Sequence, residues 1–171
     1  MGAPAGETFD YTGRHYTVKD SPALPKPVQR PHPPIIIGGH GANRTPALAA
    51  RFAAEFNVPF AGLDVVATQY ARVRAAAEKA GRDPGDITYS ASFVVCAGRD
   101  DAEIRRRAGA ISREVDELRT NTPLVGTPAE IVDRLGPFVQ AGVQRVYLQV
   151  LDLADLDHVE LFANEVVGQL R

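Results

Sequence analysis

The chain has 171 residues, 44% of them hydrophobic, and a formal net charge of −2. This composition is typical of a globular domain with a sizeable core, and the charge gives no electrostatic basis for binding nucleic acid or an anionic membrane. A single cysteine, Cys96, excludes an internal disulfide and a cysteine metal cluster and favours a reducing, cytoplasmic location. No run approaches the roughly 20 apolar residues of a membrane span, and the N-terminal stretch MGAPAGETFD lacks a signal-peptide pattern.

The N-terminal segment is predicted to form a β-hairpin followed by an extended connector. Phe9 to Tyr11 and His15 to Val18 are short runs with aromatic and β-branched residues on either side of Gly13, which is typical of a hairpin. Six prolines between Ser21 and Pro34 exclude a helix or a central strand there, because proline lacks the backbone N–H and fixes φ.

A strand, a glycine turn and a helix are predicted to follow this connector directly. Ile35 to Ile37 form a β-branched run without polar alternation, which predicts a parallel strand buried on both faces. Gly38, Gly39 and Gly41 then permit a tight turn and a close approach of the backbone to a ligand. The next stretch is helical in pattern, with Thr45 or, alternatively, Asn43 as its N-cap.

A strand, a glycine turn and the N-terminus of a helix together form a common phosphate-binding arrangement. Free backbone N–H groups and the positive end of the helix dipole face the anion, and Arg44 adds a charged group. The segment GGHGANR has neither the Gly-Lys-Ser/Thr of a Walker loop nor the third glycine of the GxGxxG fingerprint. A phosphate site and a tight turn without a ligand therefore both stay open. His40 lies at the end of the strand, where barrel active sites are built, and is either a ligand contact or a tolerated turn residue.

The rest of the chain alternates between strands and helices. Further strands are predicted near 56–61, 88–97 and 143–151, and helices at about 65–80, 100–119, 127–140 and from Asp155 or Asp157 onward. Parallel strands with crossover helices satisfy this pattern, either as a doubly wound sheet or as half of a (β/α)₈ barrel. The predicted division is residues 1–33 for the tail, hairpin and connector and residues 34–171 for the α/β domain.

Several polar residues are candidates for a site, and each has a structural alternative. Asn57 and Gln149 lie within apolar strands and either line a substrate pocket or bond to neighbouring backbone. The histidines do not have metal-ligand spacing, and the aspartates near the last helix lack the pattern of a calcium loop, so no metal site is predicted. Arg105, Arg106 and Arg107 share a helix with several acidic residues and are expected to form a solvated face.

The chain resembles the C-terminal half of the luciferase-like monooxygenase superfamily, in particular its deazaflavin (coenzyme F-420)-dependent oxidoreductase branch. The segments that carry the resemblance are LPKPVQRPHPPIIIGGHGANRT, LAARFAAEFN, AGRDP, VGTPAEIVDRL and AGVQRVYLQVLDLADLDH, in the order typical of that family. The resemblance implies a (β/α)₈ barrel of which the predicted strands are the fifth to the eighth. It also implies an oxidoreductase that uses coenzyme F-420 or FMN with a small-molecule substrate. The cofactor phosphate would then lie at Gly38, Gly39, His40, Gly41, Ala42, Asn43 and Arg44.

The expectation of only half a barrel has two consequences. The first four strands, which supply much of the ring pocket in that family, are absent, so no catalytic residue is assigned. Both outer strands would be open edges with inward side chains facing water, and Val94, Val95, Val146 and Leu148 are the expected exposed residues. We therefore expect the half-barrel to pair with a second copy or with a separate N-terminal half. The alternative function is a non-catalytic half-barrel remnant that acts as a dimeric structural or binding protein.

Overall fold

A computed structural model describes residues 6–170, and the chain divides into two compact units whose boundary falls between Pro34 and Ile35. The first unit contains an antiparallel hairpin of β1 (Phe9–Thr12) and β2 (Thr17–Ser21). The Gly13 N–H donates to the carbonyl of Tyr16 at 2.9 Å and closes the turn, as the sequence predicts. The proline-rich segment that follows β2 forms neither a helix nor a strand.

The second unit alternates between strands and helices along its whole length. Its strands are β3 (Ile36–Gly38), β4 (Glu55–Pro59), β5 (Thr88–Val94), β6 (Cys96–Ala97), β7 (Val125–Gly126) and β8 (Arg145–Gln149). Its helices are α1 (Arg44–Phe52), α2 (Leu63–Lys79), α3 (Asp101–Ala110), α4 (Val115–Asn121), α5 (Pro128–Gln140) and α6 (Leu156–Glu165). Short 3₁₀ turns lie at Pro84–Asp86 and Val167–Gln169.

The main sheet has the strand order β3-β4-β5-β8, with every pair parallel. The order follows the chain, whereas a doubly wound sheet reverses direction at a switch point. This order decides between the two predicted architectures in favour of a partial (β/α)₈ barrel. The short strands β6 and β7 form a second parallel pair of their own.

The two faces of the main sheet differ in polarity, because successive side chains of a strand point to opposite faces. Phe56 and Val58 of β4 and Phe93 of β5 join buried helix residues such as Tyr70 and Leu135 in one hydrophobic core. The register then places a polar set on the opposite face, which is the interior face of a barrel: Glu55, Asn57, Ser90, Ser92, Arg145, Tyr147 and Gln149. Arg145 forms an ion pair with Glu55 across the sheet.

The expected exposure of apolar interior side chains is therefore only partly observed. Val146 and Leu148 pair with Ala91 and Phe93, so they lie on the helix side of the sheet and not on the interior side. Val95 is buried in the hydrophobic core, which makes its predicted exposure wrong. Val94 and Val146 are half-buried, and Leu148 is 40% exposed. The physical reason is that this sequence places mainly polar residues at the interior positions.

The predicted N-terminal caps of two helices are confirmed, but one of these helices is shorter than predicted. The capping box of α5 is present, with Thr127 and Glu130 bonded reciprocally, and the predicted cap Asp100 accepts from the backbone N–H of Glu103. The single charged helix predicted over 100–119 is, however, broken into α3 and α4, with Ser112 at a φ of 55° between them.

Arg107 is buried, not solvated, and it organises a polar network among α3, β6 and α6. Its guanidinium pairs with Asp155 and Glu103 at 2.9 Å each and donates to the carbonyl of Ala97 at 2.8 Å. Asp155 also caps α6, and the Ala97 N–H donates to Nε2 of buried His158 at 2.9 Å. Hydrogen bonding from Arg107 lowers the pKa of Asp155 to about 2. Burial and the nearby Arg107 lower the pKa of His158.

We expect Asp155→Asn to lower the free energy of unfolding by about 3 kcal/mol, because it leaves the buried Arg107 without its main counter-charge. Asparagine caps a helix about as well as aspartate, so the variant removes the charge and keeps the cap. The folded-state pKa of Asp155 lies below its ordinary value of 3.8. Its contribution is therefore complete above that value and is lost as the pH falls towards 2.

Urea unfolding at a series of pH values measures this difference. Asp157→Asn is the matched control, because Asp157 is an exposed acid in the first turn of the same helix. An Asp155→Asn variant as stable as the control at pH 7 would contradict the assigned role of the ion pair.

Candidate functional site

The glycine turn lies at the carboxyl edge of the main sheet, between β3 and α1. Active sites of barrels are built at this edge. Gly39 has a φ of +132°, a backbone conformation that residues other than glycine rarely adopt. A Cβ atom at Gly41 would lie 2.4 Å from Oγ1 of Thr45, so a larger residue there would force the Thr45 side chain to shift. The structure therefore favours glycine at both positions for this path of the backbone.

The turn presents a run of unused backbone donors. Within the described part of the chain, the N–H groups of residues 40 to 45 donate no hydrogen bond. Helix α1 begins at Arg44 with Asn43 as its N-cap, which is the second of the two predicted caps, and the Asn43 side chain makes no capping bond. The first turn of α1 carries no acidic residue. Free donors and the helix dipole thus both favour an anion at this position.

Arg44 adds a positive charge to the same place. Its side chain is exposed, and no carboxylate among residues 6–170 lies within ion-pair distance of it. A guanidinium at the start of a helix matches the geometry of a phosphate group.

Hydrogen bonds fix the turn to the neighbouring elements. Nε2 of His40 lies 2.7 Å from the carbonyl oxygen of Pro59, to which it donates. The Gly39 N–H donates to the carbonyl of Asn57 at 3.2 Å. Nε2 of Gln69, on α2, donates to the carbonyl of His40 at 3.1 Å. The His40 side chain thus holds the turn against β4, which is a structural use that does not depend on a ligand.

Asn57 lies on the interior face, but its side chain is already satisfied. Its Nδ2 donates to Oγ of Ser90 at 3.0 Å, and its Oδ1 accepts from Oγ of Ser92 at 2.9 Å. The residue is buried, with 9% exposure. The structure therefore gives Asn57 a role in joining β4 to β5, while the second N–H of its Nδ2 has no partner among the described residues, so its place in a substrate pocket stays a prediction.

Gln149 lies at the carboxyl end of β8 and lines a cavity of about 330 Å³. The apolar wall of this cavity consists of Phe60, Val94, Leu118 and Leu151. Its polar wall consists of Gln149, Asn121, Thr122, Arg113 and Glu117. Such a mixture of apolar walls and a few polar groups is typical of a site for a small organic molecule.

Helix α4 supplies part of this cavity, and sequence reasoning missed it. The sequence pattern places Leu118 in one long helix over 100–119, and that predicted helix ends before Asn121. The segment between α3 and α4 contains neither proline nor glycine, so no strong helix breaker marks the break at Ser112. Gly109, three residues earlier in the chain, is the nearest weak helix former.

The glycine turn, with its unused N–H groups, and the cavity beside Gln149 both lie at the carboxyl edge of the main sheet. Among the described residues, no group of three or more histidine, cysteine, aspartate or glutamate side chains could hold a metal ion. Within the same residues, no helix is both long and apolar enough to cross a membrane.

Three solved structures with a similar fold were compared with the chain. An F-420-dependent secondary alcohol dehydrogenase in complex with an F-420–acetone adduct has 14% identity and a TM-score of 0.74, over 95% of this chain and 56% of that one. The coenzyme F-420-dependent tetrahydromethanopterin reductase of Methanopyrus kandleri has 15% identity and a TM-score of 0.72, over 98% and 59%. The oxygenating constituent of 3,6-diketocamphane monooxygenase from Pseudomonas putida, in complex with FMN, has 18% identity and a TM-score of 0.69, over 96% and 59%.

These similarities identify the fold as a partial (β/α)₈ barrel, and the chain spans a little more than half the length of the structures it matches. A sequence model of the luciferase-like monooxygenase family matches residues 2–121, which is well over half of the chain. The protein therefore belongs to the luciferase-like monooxygenase family.

Proposed function

We propose that this chain is the C-terminal half of an oxidoreductase that uses coenzyme F-420 or FMN, and that it binds the cofactor phosphate. The observation that carries the proposal is the run of unused N–H groups at residues 40 to 45, at the start of a helix without acidic residues in its first turn. The first N–H groups of any helix lack an intrahelical partner, and here the glycine turn adds the N–H groups of His40 and Gly41 to that run, which suits the several oxygens of a phosphate.

The residues of the turn fit a phosphate in charge and in shape. Gly38, Gly39 and Gly41 keep side chains away from the anion, and the N–H groups of His40, Gly41, Ala42, Asn43 and Arg44 donate to its oxygens. The guanidinium of Arg44 neutralises its charge. When bound, the cofactor supplies hydride transfer or the activation of oxygen, and the protein binds it, orients it and excludes water.

Both cofactors are phosphate esters with a flavin-like ring system, so the turn alone does not discriminate between them. The two similar F-420-dependent enzymes and the similar FMN-containing monooxygenase support one site for either cofactor. We assign the small-molecule substrate to the cavity beside Gln149, whose amide offers both a donor and an acceptor to a carbonyl or hydroxyl oxygen.

A complementary half-barrel completes the site in this proposal. Within residues 35–170, β3 and β8 each pair with one strand only, so each has an unpaired edge. Ile36 on β3 is 52% exposed, and Tyr147 on β8 is 37% exposed. The partner is a second copy of the chain or a separate N-terminal half with parallel strands.

We expect Arg44→Ala to weaken the binding of FMN and of coenzyme F-420 about tenfold, because it removes one charge-assisted hydrogen bond to the phosphate. Fluorescence titration of the purified protein measures the two dissociation constants. Arg51→Ala is the matched control, because Arg51 lies in the last turn of the same helix.

Each alternative outcome of this titration is informative. Equal effects of the two substitutions would place the phosphate elsewhere. If the wild-type protein binds neither cofactor, the proposed function is wrong for this chain, and a non-catalytic half-barrel becomes the better account.

We expect the purified chain to form dimers or larger species in light scattering, because unpaired parallel strands are templates for further pairing. Ile36→Lys should shift the chain towards the monomer, since a lysine on an edge strand opposes strand addition. Val65→Lys is the control, because Val65 is a similarly exposed apolar residue on α2 and not on the sheet. A monodisperse wild-type monomer would contradict the proposed pairing.

A further inference from the structure

Gln69 is a buried polar residue on the apolar side of α2. It is 3% exposed, and the other buried residues of the helix include Val66, Tyr70 and Val73. Its Nε2 donates to the carbonyl of His40 at 3.1 Å, whereas its Oε1 is buried without a hydrogen-bond partner among the described residues. An apolar side chain at this position would avoid the cost of burying that oxygen. The amide is therefore best explained by its contact with the turn.

That contact sets the direction of one peptide group. The peptide between His40 and Gly41 is trans, because the only cis bonds among residues 6–170 precede Pro25 and Pro31. In a planar trans peptide the carbonyl of residue 40 and the N–H of residue 41 point in opposite directions. When Gln69 holds the His40 carbonyl towards α2, the Gly41 N–H must point away from α2.

No other hydrogen bond fixes this peptide. Within the described residues, Gln69 is the only donor to the His40 carbonyl, and the N–H groups of His40 and Gly41 have no acceptor. The His40 ring and the Gly39 N–H are held by Pro59 and Asn57, but they lie before the peptide in question. Glycine at position 41 lowers the barrier to rotation of this peptide, since it has access to a wide range of φ and ψ.

A rotated peptide would present an oxygen to the anion instead of a donor. The carbonyl carries a partial negative charge, so it would repel a phosphate that the N–H attracts. Rotation of the peptide would therefore remove one hydrogen-bond donor from the phosphate and place one repulsive dipole beside it.

We propose that Gln69 is a positioning residue that fixes the His40–Gly41 peptide so that the Gly41 N–H faces the cofactor phosphate. This inference rests on the proposed function of the turn, but it concerns a residue of a different element. Gln69 itself touches no ligand, and it acts through the backbone of the turn.

The test compares FMN with riboflavin, which differ only by the phosphate. We expect the wild-type protein to bind FMN more tightly than riboflavin. Gln69→Met keeps the length of the side chain and removes the donor, and we expect it to lower this preference about tenfold without changing the affinity for riboflavin. Tyr70→Phe is the matched control, because Tyr70 is the next residue on the helix and its buried hydroxyl has no partner among the described residues.

A second measurement observes the turn directly and uses inorganic phosphate, which has no flavin ring, as the ligand. Titration with inorganic phosphate should move the amide proton resonance of Gly41 in the wild-type protein and in Tyr70→Phe, and much less in Gln69→Met. A general loss of stability would not produce this selective effect. Gln69→Leu, which also removes the donor with an apolar side chain, should behave like Gln69→Met and replaces it if the methionine variant does not fold.

The outcomes separate the inference from the proposed function. If the wild-type protein prefers FMN and folded Gln69 variants keep that preference, the positioning role is wrong and the phosphate site stands. If the wild-type protein does not prefer FMN over riboflavin, both are wrong. If neither variant folds, Gln69 is required for the fold and the positioning proposal is overturned.

Discussion

Parallel pairing of four strands in chain order is the constraint on which the rest of the α/β unit depends. A parallel neighbour can be reached only by a crossover, so helices between the paired strands return the chain to the amino-terminal edge of the sheet. The apolar side chains of β4 and β5 meet these helices in one core. The same geometry brings the carboxyl ends of β3, β4, β5 and β8 to one edge, where the glycine turn and the cavity beside Gln149 lie.

Features encoded by neighbouring residues were predictable from the sequence. The glycine turn, the capping box at Thr127 and the cap at Asp155 each depend on a few adjacent positions, and the structure contains all three. The strand order was not settled by periodicity, because a doubly wound sheet and a barrel have the same alternation of strands and helices. The family resemblance favoured the barrel, and the observed order agrees with it.

Features that depend on distant partners were not predictable in the same way. The sequence places Arg107 among charged neighbours, but its burial follows from Asp155, 48 residues away. Asn57 was expected to bond to neighbouring backbone or to line a pocket, and its hydrogen-bond partners are serine side chains of the next strand, 33 and 35 residues away. In the sequence, nothing distinguishes Gln69 from other polar residues of a helix. Its hydrogen bond to the carbonyl of His40, 29 residues earlier, is visible only in the structure.

The distance along the chain between β5 and β8 has a consequence for how the unit folds. The first three strands of the sheet are joined by single helices, whereas the Tyr89 N–H meets the side chain of Gln144 only across 55 residues. Closing such a long loop costs more chain entropy than closing the short ones, and contacts of this kind slow folding. β8 is thus the strand expected to join last during folding, and until it docks the outer edge of β5 is exposed to pairing with other chains.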